Sequence, residues 1–373
     1  MKVVLHLTKS CNLRCRYCYA ASKGPEHMAA ATARQAIELA IAEGGDSACV
    51  SFFGGEPLLL FDRIRELTAY ALAAGRRAGC RMHFRMSTNG LLFDEHKLAF
   101  CRDHGLLFAV SMDGDQQAHD AQRVFPDGSG SYAALQRKLE LILRYNPRAI
   151  FTSVITPATV ERLLPSLETM WAAGIRYFVH QLDYHHPDWR PEHLERLAES
   201  YRQAAGFYLD KVRSGEHFHL GLFDDKIKTH ADSPFELGRI CDFGAEKVSV
   251  APDGTLYPCV QFISDRPDAG DYRIGHVATG FTPRRAELIR ANRQPRAQCA
   301  GCAFDGRCTN YCGCVNWQTT GRLTEVPGIL CAHEQMLIPI ADAIGNQLWA
   351  EREGHFLHKH YRHNRELFAY AFD

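Results

Sequence analysis

Cys11, Cys15 and Cys18 place three thiols on one short loop, in the run Ser10-Cys11-Asn12-Leu13-Arg14-Cys15-Arg16-Tyr17-Cys18. The Cys-x3-Cys-x2-Cys spacing suits a cubane [4Fe-4S] cluster, which takes four thiolates when protein saturates it. Three thiolates leave one iron open to a ligand that is not protein. An open iron on a redox cluster is a place to do chemistry, so the chain reads as an enzyme. A second array lies far along the chain: Cys241-x12-Gly254-x4-Cys259, then Cys299-x2-Cys302-x5-Cys308-x3-Cys312, then Cys331. Clustered cysteines in a reducing compartment mark metal sites rather than disulfides. A zinc ribbon also fits Cys299-x2-Cys302 with Cys308-x3-Cys312, but tetrahedral zinc takes four ligands and this array offers more. Of the fourteen cysteines, Cys49, Cys80 and Cys101 are scattered and read as buried core thiols.

Something must hold the front loop at an open edge. Apolar, β-branched or aromatic runs at Lys2–Leu7, Ala48–Phe53, Met82–Ser87, Leu107–Ser111, Ile150–Ile155 and Tyr177–Leu182 predict six strands. Helical patterns fall between them, among them Thr32–Glu43, Ile64–Ala74 and Tyr132–Tyr145, the last after Ser131 as a candidate N-cap. A helix over Pro191–Val212 closes the series. Alternating strands and helices predict a parallel sheet with right-handed crossovers. Six units fall short of the eight of a closed TIM barrel, so the expected α/β fold is a partial (β/α)6 TIM-type barrel. Polar signatures follow the first four strands: the cysteine loop, Gly54-Gly55-Glu56-Pro57, Ser87-Thr88-Asn89-Gly90 and Ser111-Met112-Asp113-Gly114. Parallel α/β folds carry their sites on that rim.

The barrel is expected over residues 1–215, with a linker at 216–240. A cysteine-rich domain follows at 241–335, then a C-terminal helix and His-rich tail at 336–373. Lys247–Val250 and Thr255–Tyr257 flank Pro252-Asp253-Gly254, a hairpin signal. His355, His358, His360 and His363 read as a solvated basic tail or a partner-facing surface rather than a site. Lys+Arg and Asp+Glu balance at 43 each, which argues against a nucleic-acid partner. The absence of a long apolar run or signal-peptide layout argues against a membrane and for a cytoplasmic protein.

The front motif, with aromatic Tyr17 before its third cysteine, resembles the radical S-adenosylmethionine superfamily. The resemblance implies that Cys11, Cys15 and Cys18 ligate a [4Fe-4S] cluster whose open iron is chelated by S-adenosylmethionine. One electron, from a donor such as flavodoxin or ferredoxin, then yields a 5′-deoxyadenosyl radical that takes hydrogen from the substrate. Gly54, Gly55 and Glu56 match the family's methionine-binding motif: the glycines admit close backbone approach, and Glu56 is expected to accept from the cofactor's amino group. Ser87, Asn89, Ser111 and Asp113 match positions that contact ribose or carboxylate, and Arg123, in His119-Asp120-x2-Arg123, is expected to pair with the cofactor carboxylate.

The back array resembles the SPASM domain, all seven of whose cysteines are present. That resemblance implies two auxiliary [4Fe-4S] clusters, three in all. Cys299, Cys302, Cys308 and Cys331 would hold the second; Cys241, Cys259 and Cys312 would hold the first. Some members supply a fourth cysteine to the first cluster from between the positions of Cys241 and Cys259. None stands there, so that site is open or closed by another group, with Cys314 and Asp242 as candidates. Enzymes with these two domains mostly modify peptides or proteins. In anaerobic sulfatase maturases an aspartate base follows the cysteine matching Cys259; here the residue is Val260. The reading is therefore a maturase forming a thioether or carbon–carbon crosslink in a ribosomally made peptide. Sulfatase maturation, a non-catalytic iron–sulfur carrier and a small-molecule radical enzyme of the cofactor-biosynthesis type are the alternatives. The chain is read as too short for a leader-recognition domain, which would leave leader binding to a separate small protein or to the barrel and tail surfaces. Gln181, Asp183, Tyr184, His185 and His186, after the sixth strand, are candidate substrate-cavity residues.

Overall fold

In a computed structural model, which describes residues 1–20, 23–231 and 241–362, strand β1 (Lys2–Thr8) begins almost at the N-terminus. Six more strands follow: β2 (Ser47–Gly54), β3 (Arg81–Thr88), β4 (Leu106–Ser111), β5 (Ile150–Ile155), β6 (Tyr177–Leu182) and the short β7 (His219–Leu220). They pair in parallel in chain order. The intervening helices are α1 (Ala30–Gly44), α2 (Phe61–Ala78), α3 (Glu95–Asp103), α4 (Gln116–Gln122), α5 (Tyr132–Tyr145), α6 (Leu163–Ala172) and α7 (Pro191–Arg213). The period-two pattern of β1 explains the layering. Val3, Leu5 and Leu7 are fully buried among residues of α1 such as Ala33, Ala36 and Ile37. Lys2, Val4, His6 and Thr8 alternate with them and face the other side of the sheet. All six expected strands are present, each within a residue or so of the sequence reading, and Cys49, Cys80 and Cys101 are buried as expected.

The segment 216–240 differs from the linker expected there. His219–Leu220 extends the sheet against β6, and α8 (Gly221–Ala231) buries Leu222, Phe223 and Ile227. Residues 232–240 lie outside the described part. The helix is held by charge as well as by apolar contact. Lys226 Nζ lies 2.6 Å from Glu334 Oε2, both side chains buried, and Glu334 Oε1 accepts from Thr309 N and Oγ1. Removing one partner leaves a charge without compensation, so Lys226→Met is expected to cost about 3–5 kcal/mol. Urea unfolding measures it, with Arg202→Ala as the contrast: its exposed pair with Glu199 is worth less than about 1 kcal/mol. Equal midpoints for the two variants would contradict the assignment.

The cysteine-rich part continues the same sheet. Strand β8 (Lys247–Val250) pairs in parallel with β1, Lys2 opposite Lys247 and Leu5 opposite Val250. Antiparallel β9 (Thr255–Tyr257), β10 (Gly275–His276) and β11 (Gly280–Phe281) complete an eleven-stranded sheet. The expected hairpin is β8–β9. Helices α9 (Arg284–Asn292), α10 (Gly313–Thr320), α11 (Gly328–Ala350) and α12 (Gly354–Leu357) follow. Among the described residues no helix is long and apolar enough to cross a membrane.

Two further expectations change. Ser131 does not cap α5 with its side chain; its hydroxyl donates to the Arg123 carbonyl instead. The histidine tail is not simply solvated: His360 is 4 % exposed and its Nε2 lies 3.1 Å from Asp224 Oδ1, while His355 packs edge-on against His217. His363 lies outside the described residues.

Candidate functional site

The front cysteine loop is fastened by its backbone. Ser10 N donates to Thr8 Oγ1, Arg14 N to Val124 O and Arg16 N to Gln122 O. The three thiols are half-buried and free of disulfides. Leu13 N donates to Cys11 Sγ (3.4 Å), Lys23 Nζ to Cys18 Sγ (3.0 Å), and Arg123 Nη1 stands 4.0 Å from Cys15 Sγ. Burial pushes the Cys15 thiol up to about 11, opposed by the Arg123 charge. The donor set is soft, thiol-only and ringed by cationic and N–H donors, which is the chemistry an anionic iron–sulfur group requires. Among the described residues, no three His, Cys, Asp or Glu side chains are gathered as ligands of a single metal ion.

Gly54 and Gly55 bring the end of β2 against the cysteine loop. Gly54 has φ +125°, and a Cβ there would fall 2.4 Å from Thr8 O; one on Gly55 would fall 2.0 Å from Ser10 O. No other residue type fits. Beside them a cleft of about 170 Å³ is lined by His6, Thr8, Gly54, Gly55 and Tyr257 among others.

The acidic and basic residues of the rim turn inward more than expected. Glu56 is 1 % exposed, and its carboxylate accepts from Leu58 N (3.0 Å), Thr88 Oγ1 (2.8 Å) and Asn89 N (2.8 Å). It ties the ends of β2 and β3 together through those bonds. Burial raises it to about 7 against those three donors. Arg123 pairs with Asp113, Nε to Oδ2 at 3.0 Å. Asp113 also accepts from the Tyr17 hydroxyl (2.7 Å) and Val154 N (3.0 Å). Half-buried Tyr17 of the cysteine loop thus rests on the buried Asp113–Arg123 pair. Asn89 Nδ2 donates to Asn12 Oδ1 (2.7 Å), fastening the β3 end to that loop. Ser87 and Ser111 are half-buried, on the side of their strands opposite Met86 and Val110.

His119 was in the sequence motif but had no role assigned. Ser131 Oγ spends its proton on Arg123 O, so His119 Nε2–H donates to Ser131 Oγ (2.9 Å) and Nδ1 accepts from Asp113 N (3.4 Å). The neutral ring buttresses Asp113 from behind. Its signal in the sequence was the four-residue spacing to Arg123, one helical turn.

Of the residues after β6, Tyr184 is committed elsewhere. Its hydroxyl meets His333 Nδ1 at 2.8 Å, and Tyr201 meets His333 Nε2 at 2.7 Å. His185 and Asp183 face each other at 3.5 Å, and Gln181 is exposed.

The back cysteines fall into two groups. Cys299, Cys302, Cys308 and Cys331 all line one small cavity. Asn310 Nδ2 donates to Cys299 Sγ (3.4 Å) and Gln335 Nε2 to Cys331 Sγ (3.5 Å). Cys312 and Cys314 stand 3.4 Å apart, sulfur to sulfur, with Cys259 facing both.

Residues 5–170 match the Radical SAM superfamily. Those residues form a radical S-adenosylmethionine domain. The superfamily implies S-adenosylmethionine and a [4Fe-4S] cluster as its cofactors. The chain is 21% identical over 328 residues to a cysteine-type anaerobic sulfatase-maturating enzyme of Clostridium perfringens, covering 82% of this chain and 86% of the relative. It is 36% identical over 240 residues to an Fe-coproporphyrin III synthase of Methanosarcina barkeri, covering 62% and 57%. Its fold is that of anSMEcpe solved with bound AdoMet and Cp18Cys peptide: TM-score 0.76, 19% identity, 93% of this chain and 99% of that one. Streptococcus suis SuiB bound to precursor peptide SuiA shares it more loosely, with TM-score 0.58, 15% identity and coverage of 88% and 75%.

Proposed function

We propose that this radical S-adenosylmethionine enzyme is a peptide maturase that removes hydrogen from a ribosomally made peptide and forges a thioether or carbon–carbon bond. The observation carrying this is the joining of the thiol-rich loop, the Gly54–Gly55 approach and a cleft at one sheet edge. The fold around them is shared over nearly the whole chain with an enzyme solved holding AdoMet and a peptide. In this reading Cys11, Cys15 and Cys18 hold the front cluster. Cys299, Cys302, Cys308 and Cys331 hold one auxiliary cluster, and Cys241, Cys259 and Cys312 belong to the other. The bound cluster and cofactor would supply one-electron cleavage and hydrogen abstraction. The chain's own contribution is placement. Gly54 and Gly55 let the end of β2 press against the cysteine loop beside the cleft, Asp113 and Arg123 brace Tyr17, and Glu56 locks two strand ends at fixed separation.

Sulfatase maturation is disfavoured by Val260, which has no proton to exchange where that subclass carries its base. A second reading, small-molecule maturation, is favoured by the 36% identity to the coproporphyrin enzyme. One experiment separates them. Short peptides encoded beside this reading frame are coexpressed with the enzyme and weighed. In parallel, purified enzyme, reductant and S-adenosylmethionine are given iron coproporphyrin or each peptide. The peptide reading expects a product lighter by one hydrogen pair per bond formed. Turnover of the porphyrin with unchanged peptides would replace it with the second reading.

A further inference from the structure

Cys314 was left as an open candidate by its sequence position, and the fold gives it close partners. It is the second residue of α10, whose N-cap is Cys312, so the two thiols leave the same helix start. Their sulfurs lie 3.4 Å apart, and Cys314 is 4 % exposed. Its thiol also faces Cys259, two residues past the end of β9. The Cys241 loop is pressed against the same turn. A Cβ on Gly313 would fall 2.9 Å from Phe243 Cε2, a ring two residues past Cys241, and 2.2 Å from Asn292 Oδ1. Phe243 itself holds φ +41°, a conformation costly for a bulky residue and kept only where surroundings impose it. The start of α10 presents the positive end of a helix dipole to these sulfurs, and Lys247 adds a cation facing Cys259 and Cys312. Cys314 thus sits against Cys312 and faces Cys259, with the Cys241 loop packed on the same turn, beside groups that favour negative charge.

We propose that Cys314 is the fourth ligand of the Cys241–Cys259–Cys312 set, closing that cluster with protein alone. This rests on the reading that these cysteines hold a cluster, and it sharpens it. A saturated cluster offers no iron to a substrate thiol, so it serves to pass electrons, and the substrate bond is made at the front cleft.

The test is anaerobic reconstitution followed by iron and sulfide analysis and electron paramagnetic resonance of the reduced protein. Wild type is expected to hold about twelve irons, four for each of three clusters. Cys314→Ala is expected to lose about four of them, or to show a three-iron signal, while Cys80→Ala, which removes a core thiol elsewhere, matches wild type. A Cys314→Ala protein with wild-type iron, sulfide and spectrum overturns the proposal. Wild type holding only about four irons overturns the auxiliary-cluster reading beneath it. Should Cys314→Ala fail to fold, wild type decides: excess 2-mercaptoethanol is expected to leave the auxiliary signals unmoved, and a shift would show an open iron.

Discussion

Cys15→Ala protein, loaded with iron under anaerobic conditions, is expected to release 5′-deoxyadenosine from S-adenosylmethionine at the background rate, more than about a hundredfold below wild type. That bound follows from the site's construction. Changes to groups that merely orient metal ligands cost about 10–100-fold in metal affinity or activity, and Cys15 is one of only three thiols on the front loop. It is also the thiol beside Arg123, whose Nη1 stands 4.0 Å away. Its loss therefore removes a ligand and strands part of a guanidinium otherwise engaged with Asp113. The back cysteines are untouched, so about eight irons should remain, and Cys80→Ala serves as the control for loss of a buried thiol. Release by Cys15→Ala at the wild-type rate would sink the assignment of the front loop, whatever the substrate proves to be.

Acid should unfold this protein steeply. His6 and His119 are held down to about 3, and His180 and His333 to about 4, chiefly by burial. Each titrates near 6.5 once unfolded. The sign follows from linkage: below 6.5 the unfolded chain binds protons that the folded chain refuses, so stability is lost as pH falls. The geometry supports the direction. A second proton on His119 would set an N–H against the Asp113 N–H that its Nδ1 accepts. Likewise, neutral His333 can accept from one of Tyr184 and Tyr201 while donating to the other. Glu56 opposes the trend. Raised to about 7, it contributes stability that is fully present below about 4.5 and lost as pH rises through 7. Between pH 5 and 6 the balance is about three protons, or roughly 4 kcal/mol per pH unit. Urea unfolding followed by circular dichroism at those two values measures it. Equal free energies at both would mean that these histidines are charged in the fold.

The tail shows why some of this was illegible in the sequence. Four histidines within nine residues look like a wet surface because nothing nearby in sequence compensates them. Asp224, which engages His360, Lys359 and Tyr208, comes from α8, more than a hundred residues earlier and inside a stretch without strong periodicity. The bonds Glu56 makes within the fold were hidden for a related reason. Its motif places it at a ligand-facing turn, but only the register of β2 and β3 shows that Thr88 and Asn89 supply its donors first.

The strands, the order of the rim motifs and the spacing of the front cysteines were legible because each is local. Period-two burial marks a strand within six residues, and metal-ligand spacing is set by one loop. Which thiols share a site is a different matter. Cys314 reaches Cys259 because β8 joins the barrel's first strand and α10 starts beside the hairpin's end. Arg123 meets Asp113 because α4 folds back under β4. Those neighbours are chosen by packing across many intervening residues, and spacing along the chain carries no record of them.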